Sequence, residues 1–300
     1  MILTVNQKLD NGILAGPKEH VINLVRDSVD YKILMNQGPH RTISISAEVA
    51  ASYKQLLGVF YDVETLLMIL GGKFIPVESV FENEVEVTHS WKKRTLPSYR
   101  SADFMMGNTT FLEYEKVITS DLLEKWNGLK IELDMIHNMY LYCMSSVEMP
   151  KDMQCAFSVE LFLGICELID KKRADYNLPQ VPNGESKLKH YLVSLIDLYG
   201  KDIFAKETSV NKYGFAQTLV NSRNRIAHIL SKQTRYHLNG AECVMYLKKL
   251  SLLYRVILLD LIGLPQALFK ERLISIVEKI DEHETTQKYI EKLKDPNLEI

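Results

Sequence analysis

The sequence predicts an α+β protein: a mixed α/β N-terminal part followed by an all-α, up-and-down helical bundle. Before about residue 112, short stretches of alternating apolar and polar residues sit beside a run with helical spacing. Beyond it the alternation stops, and amphipathic segments follow one another. The 300 residues are 46% hydrophobic and 25% charged, which supplies cores for about two domains.

In chain order, Thr42-Ile43-Ser44-Ile45-Ser46 and Val85-Glu86-Val87-Thr88-His89 alternate with period two, the repeat of a half-buried strand. Ala47 to Leu70 has helical apolar spacing, and Gly71-Gly72 ends it. Helices are then expected at about 119–146, 152–174, 185–200, 212–232 and 240–262. Lys171-Lys172-Arg173 suits a helix C-terminus, where cations meet the negative pole of the helix dipole. Tyr176 to Glu185, YNLPQVPNGE, carries two prolines and an Asn-Gly and reads as a connection. After Pro265, one more amphipathic stretch, Leu268 to Ile280, precedes a charged tail expected to fray. These boundaries divide the chain into an accessory mixed α/β domain at 1–111, a helical domain at 112–265, and a C-terminal helix with charged tail at 266–300. No internal repeat is evident.

A formal charge of −2 gives no overall field to attract a polyanion, so such a contact has to be local. Lys201 to Arg255 holds ten Lys or Arg against three acids. The four cysteines, Cys143, Cys155, Cys166 and Cys243, show no CxxC and no histidine at ligand spacing, which argues against a zinc site or a disulfide scaffold and for a reducing compartment. No leader pattern and no apolar run of spanning length is present, so a soluble, cytoplasmic protein without membrane contact is expected. Glu78, Glu82, Glu84 and Glu86 read as a solvated strand face, with no metal-loop pattern beside them. His137 reads as a packed or half-exposed helix residue. Walker, GxGxxG and GxSxG motifs are missing.

One stretch carries chemistry: Ser222-Arg223-Asn224-Arg225-Ile226-Ala227-His228-Ile229-Leu230. With Phe215 as zero, Leu219, Ile226 and Leu230 fall at about 40°, 20° and 60°, Ala216, Ala227 and Val220 at about 100° to 140°, and Arg223 at about 80°, inside that apolar arc. An arginine there must snorkel, pair with an acid, or face a second subunit. Asn224 and His228, spaced i and i+4, lie side by side at its border. This stretch resembles the motif of the HEPN-domain ribonucleases, and the metal-free RNA cleavage that the resemblance implies requires a group to accept the 2′-hydroxyl proton, a cation for the phosphorane, and an acid for the leaving oxygen. His228 is the proton-transfer candidate, because histidine is the one residue type in the stretch suited to general acid and base work at neutral pH. Arg223 offers a bidentate phosphate fork. Asn224 can orient the histidine or the phosphate. Arg225 is placed to track an RNA backbone, and Lys232, Arg235 and His237 are further RNA-contact candidates, His237 reading as a loop residue that can touch substrate rather than as a second catalytic group.

Arg223-Asn224-x-x-x-His228 resembles the R-N-x-x-x-H signature of HEPN-domain ribonucleases. LEYEKVITSDLLEKWNGLK before it and TRYHLNGAECVMYLKKLSLLYRVILLDLIG after it resemble the ApeA-like branch of anti-phage defence, over about 112–265. The resemblance implies a helical bundle and a metal-independent, cofactor-free endoribonuclease acting in defence or as a toxin, with transfer RNA a plausible substrate. It also implies a homodimer in which two motifs meet across a two-fold axis, and a phage-derived trigger or an antitoxin as partner. Two other readings stay open: a non-catalytic RNA binder, and a structural dimerisation module whose motif staples helices.

Overall fold

The computed structural model describes residues 1–8, 18–37, 40–49, 51–72, 77–88, 109–113, 117–144, 149–228, 235–295 and 298. They form two compact units, Met1–Glu132 and Leu133–Ile300. The architecture is α+β, an antiparallel N-terminal sheet followed by a helical region.

In the first unit, strands β1 (Ile2–Lys8), β2 (Lys18–Arg26), β3 (Val29–Gln37), β4 (His40–Ala47), β5 (Val77–Glu82) and β6 (Val85–Glu86) form one sheet in the order β2-β3-β4-β1-β5-β6. Its strand pairs are antiparallel. Alternation is strict where the register is regular: Leu3, Val5, Ile33, Met35, Ile43 and Ile45 are buried, while Thr4, Asn6, Thr42 and Ser44 lie on the other face. That second face is a hydroxyl and amide ladder, in which Thr42 Oγ1 donates to Asn6 Oδ1 at 3.0 Å and Asn6 Nδ2 donates to Ser79 Oγ at 2.9 Å. Helix α1 (Tyr53–Gly71) packs against β1 and β4. It starts at a Ser52–Gln55 capping box, six residues later than the spacing placed it, because Ala47 is claimed by β4; Gly72 closes it at φ 79°.

The change from strands to helices at about 112 does not coincide with the division between the compact units. Most of α2 (Ser120–Leu133) belongs to the first unit. Trp126 Nε1 donates to Thr65 Oγ1 of α1 at 3.0 Å, Lys130 pairs with the buried Asp62, and Arg26 bridges Asp62 and Glu124. The single helix expected at 119–146 is broken at Asp134, whose φ of 40° lies in the left-handed region, and resumes as α3 (Met135–Met144).

The second unit continues with α4 (Lys151–Lys172), α5 (Lys187–Leu198), α6 (Ala205–Ala227), α7 (Gly240–Leu261), α8 (Lys270–Asp281) and α9 (Glu284–Leu293). Helix α4 is central and packs on α3, α5, α6 and α7. Helix α6 is two segments: Asn211 is extended (φ −159°, ψ 86°), and its side chain accepts the Gly214 N–H at 2.8 Å, starting the second segment close to where the amphipathic spacing placed it. Lys249 of α7 sits fully buried between Glu207 of α6 and Asp281 of α8, 2.6 Å from each. The tail expected to fray is helix α9, because Tyr289 and Leu293 bury one face of it. All four cysteines are free and buried. Among the described residues no helix is long and apolar enough to cross a membrane.

Candidate functional site

The second segment of α6 buries Phe215, Ala216, Leu219 and Val220 in the bundle, and then the helix emerges. Residues 223–226 are half-buried; Ala227 and His228 are exposed. His228 is the C-cap, its backbone N–H bonded to the Asn224 carbonyl at 3.0 Å. The helix therefore ends earlier than the expected 232, and Ile229 to Thr234, with Lys232 among them, lie outside the described residues. Ile226, which the helical projection places on the apolar arc, is half-buried, as are Arg223, Asn224 and Arg225 before it.

Arg223 is paired. Its Nε donates to Glu160 Oε2 at 2.6 Å, its Nη2 to Glu160 Oε1 at 3.1 Å, and its Nη1 to Asn224 Oδ1 at 3.0 Å. Three of its five N–H donors are thereby used and the planar fork is fixed. Both partners stay in reach of solvent, with side-chain exposures of 24% for Arg223 and 34% for Glu160. Of the three ways an arginine can sit in an apolar arc, the structure realises an acid on the neighbouring helix, and the residue needs no second subunit to account for it. Glu160 was not singled out in the sequence, although it is the one charged residue in Ala156–Cys166 and so carried a signal.

Arg223 and Asn224 are thus brought together. The His228 side chain, a turn further on, makes no hydrogen bond among the described residues, and neither does Arg225. Arg235 is exposed, and its carbonyl accepts from His237 Nδ1 at 3.2 Å; His237 is half-buried.

The chain re-enters beside the motif. Asn221 Nδ2 donates to the Tyr236 carbonyl at 2.9 Å, and Ser222 Oγ accepts the Leu238 N–H at 2.9 Å. Those two residues immediately precede Arg223, so segment 235–239 is tied to the same helix that presents the motif. Tyr236 donates its hydroxyl to Glu242, and burial together with that carboxylate raises the phenol pKa, keeping it the donor.

The cationic surface is thinner than the count over Lys201–Arg255 implied. Lys249 and Arg255 are buried in the bundle, and Lys212 is held by Asp197 at 2.8 Å. A count along the chain cannot separate core cations from surface ones. Among the described residues, no group of three or more His, Cys, Asp or Glu could hold a metal ion.

Residues 151–268 match the family described as Apea-like HEPN. That match opens at α4 and closes after α7, so it contains Glu160, the Arg223–His228 motif and segment 235–239. Searches of curated proteins and of solved structures returned no match.

Proposed function

We propose that this chain, which carries an Apea-like HEPN domain over residues 151–268, is a metal-independent endoribonuclease with Arg223, Asn224 and His228 as its catalytic set. What supports the reading best is the guanidinium of Arg223, clamped by Glu160 and Asn224 with two of its five N–H donors left over at a solvent-reachable helix end. A pair of N–H donors held in a plane suits a phosphodiester.

In the proposed reaction the ribose 2′-oxygen attacks the adjacent phosphorus and gives up its proton to an imidazole. The P–O5′ bond then breaks, and the 5′-oxygen leaves with a proton from an acid. The products are a 2′,3′-cyclic phosphate and a 5′-hydroxyl. Arg223 neutralises the charge that builds on the non-bridging oxygens, a contribution usually among the largest in such reactions. His228 is the proton-transfer group. The motif holds one histidine, which leaves the second proton transfer to the motif of another copy, so a homodimer is part of the proposal. Arg225, Lys232, Arg235 and His237 are proposed to contact RNA. The setting would be the cytoplasm in anti-phage defence or toxicity, with a phage-derived trigger or an antitoxin as partner and transfer RNA as the first substrate to try.

Purified protein incubated with total cellular RNA, followed by mapping of new ends, tests the reading. Discrete new 5′-hydroxyl ends that disappear with His228→Ala are expected; intact RNA across all conditions would reject it. The Arg223–Glu160 pair also favours a second reading, in which the motif staples α6 to α4 and has no chemistry. Loss of melting temperature in Arg223→Ala and Glu160→Ala, without any effect on RNA, would select that one.

A further inference from the structure

We infer that the C-terminal helices α8 and α9 act as a strap on the proposed RNA-binding segment 235–239, with Lys292 as its positioning residue. Both helices follow the family-matched residues. The inference rests on the RNA-directed reading of the motif, and its test is arranged to fail separately from that reading.

Segment 235–239 has two anchors. One is α6, through Asn221 and Ser222. The other is Glu242, at the start of α7. The Glu242 carboxylate accepts from Tyr236 at 2.8 and 2.9 Å and from the Asn239 N–H at 2.8 Å, while its side chain is 2% exposed. A carboxylate that deep needs a cation. Lys292 of α9 supplies it at 2.8 Å, donates to the Tyr236 hydroxyl at 3.2 Å and lies 5.4 Å from the centre of the Tyr236 ring. Tyr289, one turn earlier on α9, stacks on that ring with centroids 6.1 Å apart. Asp281 at the end of α8 fastens the helix pair to the core through Lys249.

Without the Lys292 ammonium, the Glu242 carboxylate must draw in water to replace it. The carboxylate then turns away from Tyr236, and the segment loses the anchor on the side away from α6. The Leu238 amide, whose proton is held by Ser222 Oγ, reports directly on whether the segment stays seated.

The experiment uses the full chain with Lys292→Met, Lys292→Arg and Glu242→Gln. The glutamine keeps the capping box with Asn239, since either residue serves at that position. Three quantities are read: hydrogen exchange at Leu238, affinity for an RNA made uncleavable by 2′-deoxy substitution, and cleavage at saturating RNA. Lys292→Met and Glu242→Gln should both speed Leu238 exchange at least tenfold and raise Kd at least fivefold. Cleavage at saturation should stay within about twofold, and Lys292→Arg should behave like the starting protein. The two changes shift the local charge in opposite directions, so electrostatics alone would make Glu242→Gln bind RNA more tightly. Tighter binding by Glu242→Gln overturns the inference, and so does unchanged Leu238 exchange in both variants or an equal rise in exchange across all of α6. If the starting protein neither binds nor cuts RNA, the nuclease reading fails, while Leu238 exchange still decides whether the strap exists.

Discussion

At the scale of single residues, the site depends on how an arginine is held at a helix end. Arg223→Ala leaves Glu160 half-exposed and able to find water, so the stability loss should be modest, about 1 kcal/mol. His228→Ala removes an exposed side chain with no hydrogen-bonded partner among the described residues and should cost less still. Each change should lower RNA cleavage by roughly 10²-fold or more while the circular dichroism spectrum stays the same. Wild-type-like cutting by His228→Ala would remove it from the catalytic set. A second residue gives a pH prediction. Glu64 of α1 is buried, and desolvation pushes its carboxyl up to about 8. Its folded pKa lies above the ordinary carboxylate value, so the native state holds a proton that the unfolded chain releases. Stability contributed by this group is therefore full below about pH 4 and declines as pH rises towards 8. Glu64→Gln should raise the melting temperature at pH 8 and leave it nearly unchanged at pH 4, as thermal scans at the two values would establish.

At the scale of elements, the motif helix is built from a restart and a buried lock. Asn211 caps the second segment of α6 through the Gly214 N–H, so Asn211→Ala should cost about 1 kcal/mol, the usual worth of such a cap, measurable by urea denaturation. Lys249 joins α6 to α8 from a fully buried position between two carboxylates. Lys249→Met strands both acids in the core and should cost roughly 3 to 5 kcal/mol, far more than any change at the exposed motif. If Lys249→Met melts like the parent, the buried cluster is not what holds the first segment of α6 in place.

At the scale of the whole molecule, the proposal requires chemistry shared between copies. Because the proposed cleft takes His228 from both copies, equal amounts of wild-type and His228→Ala protein allowed to exchange subunits should leave about a quarter of the dimers active, against about half if each copy worked alone. A stable two-fold interface of this kind would bury on the order of 1,600 Å², and light scattering at working concentration would detect the dimer. Monomer that still cuts RNA would refute the shared site. Cleavage is also expected to persist in excess chelator, since Arg223 can supply the positive charge that a metal would otherwise bring. Single-stranded DNA should bind but remain whole, because it lacks the attacking hydroxyl; a cut DNA strand, or a 5′-phosphate on the RNA product, would contradict the mechanism.

The sequence by itself determined the α+β order of the chain, the helices α4, α5 and α7 to within a few residues, and the likeness of its helical part to the Apea-like HEPN family, which residues 151–268 match. These features are local: amphipathic spacing, caps such as Asn239 and breaks such as Gly71-Gly72 act over a turn or two, and the R-N-x-x-x-H spacing is one helical turn with its capping residue. Strands β1, β2 and β3 escaped notice, because the pattern that marks them becomes legible only once pairing assigns one face to the core. Tertiary structure alone decided that Glu160, 63 residues before Arg223, takes two of its donors, that Lys249 and Arg255 belong to the core and not to a cationic surface, and that the charged tail is a helix bearing on Tyr236. Each of those outcomes depends on which faces of distant helices meet, and packing at that range leaves no periodicity in a single chain to read.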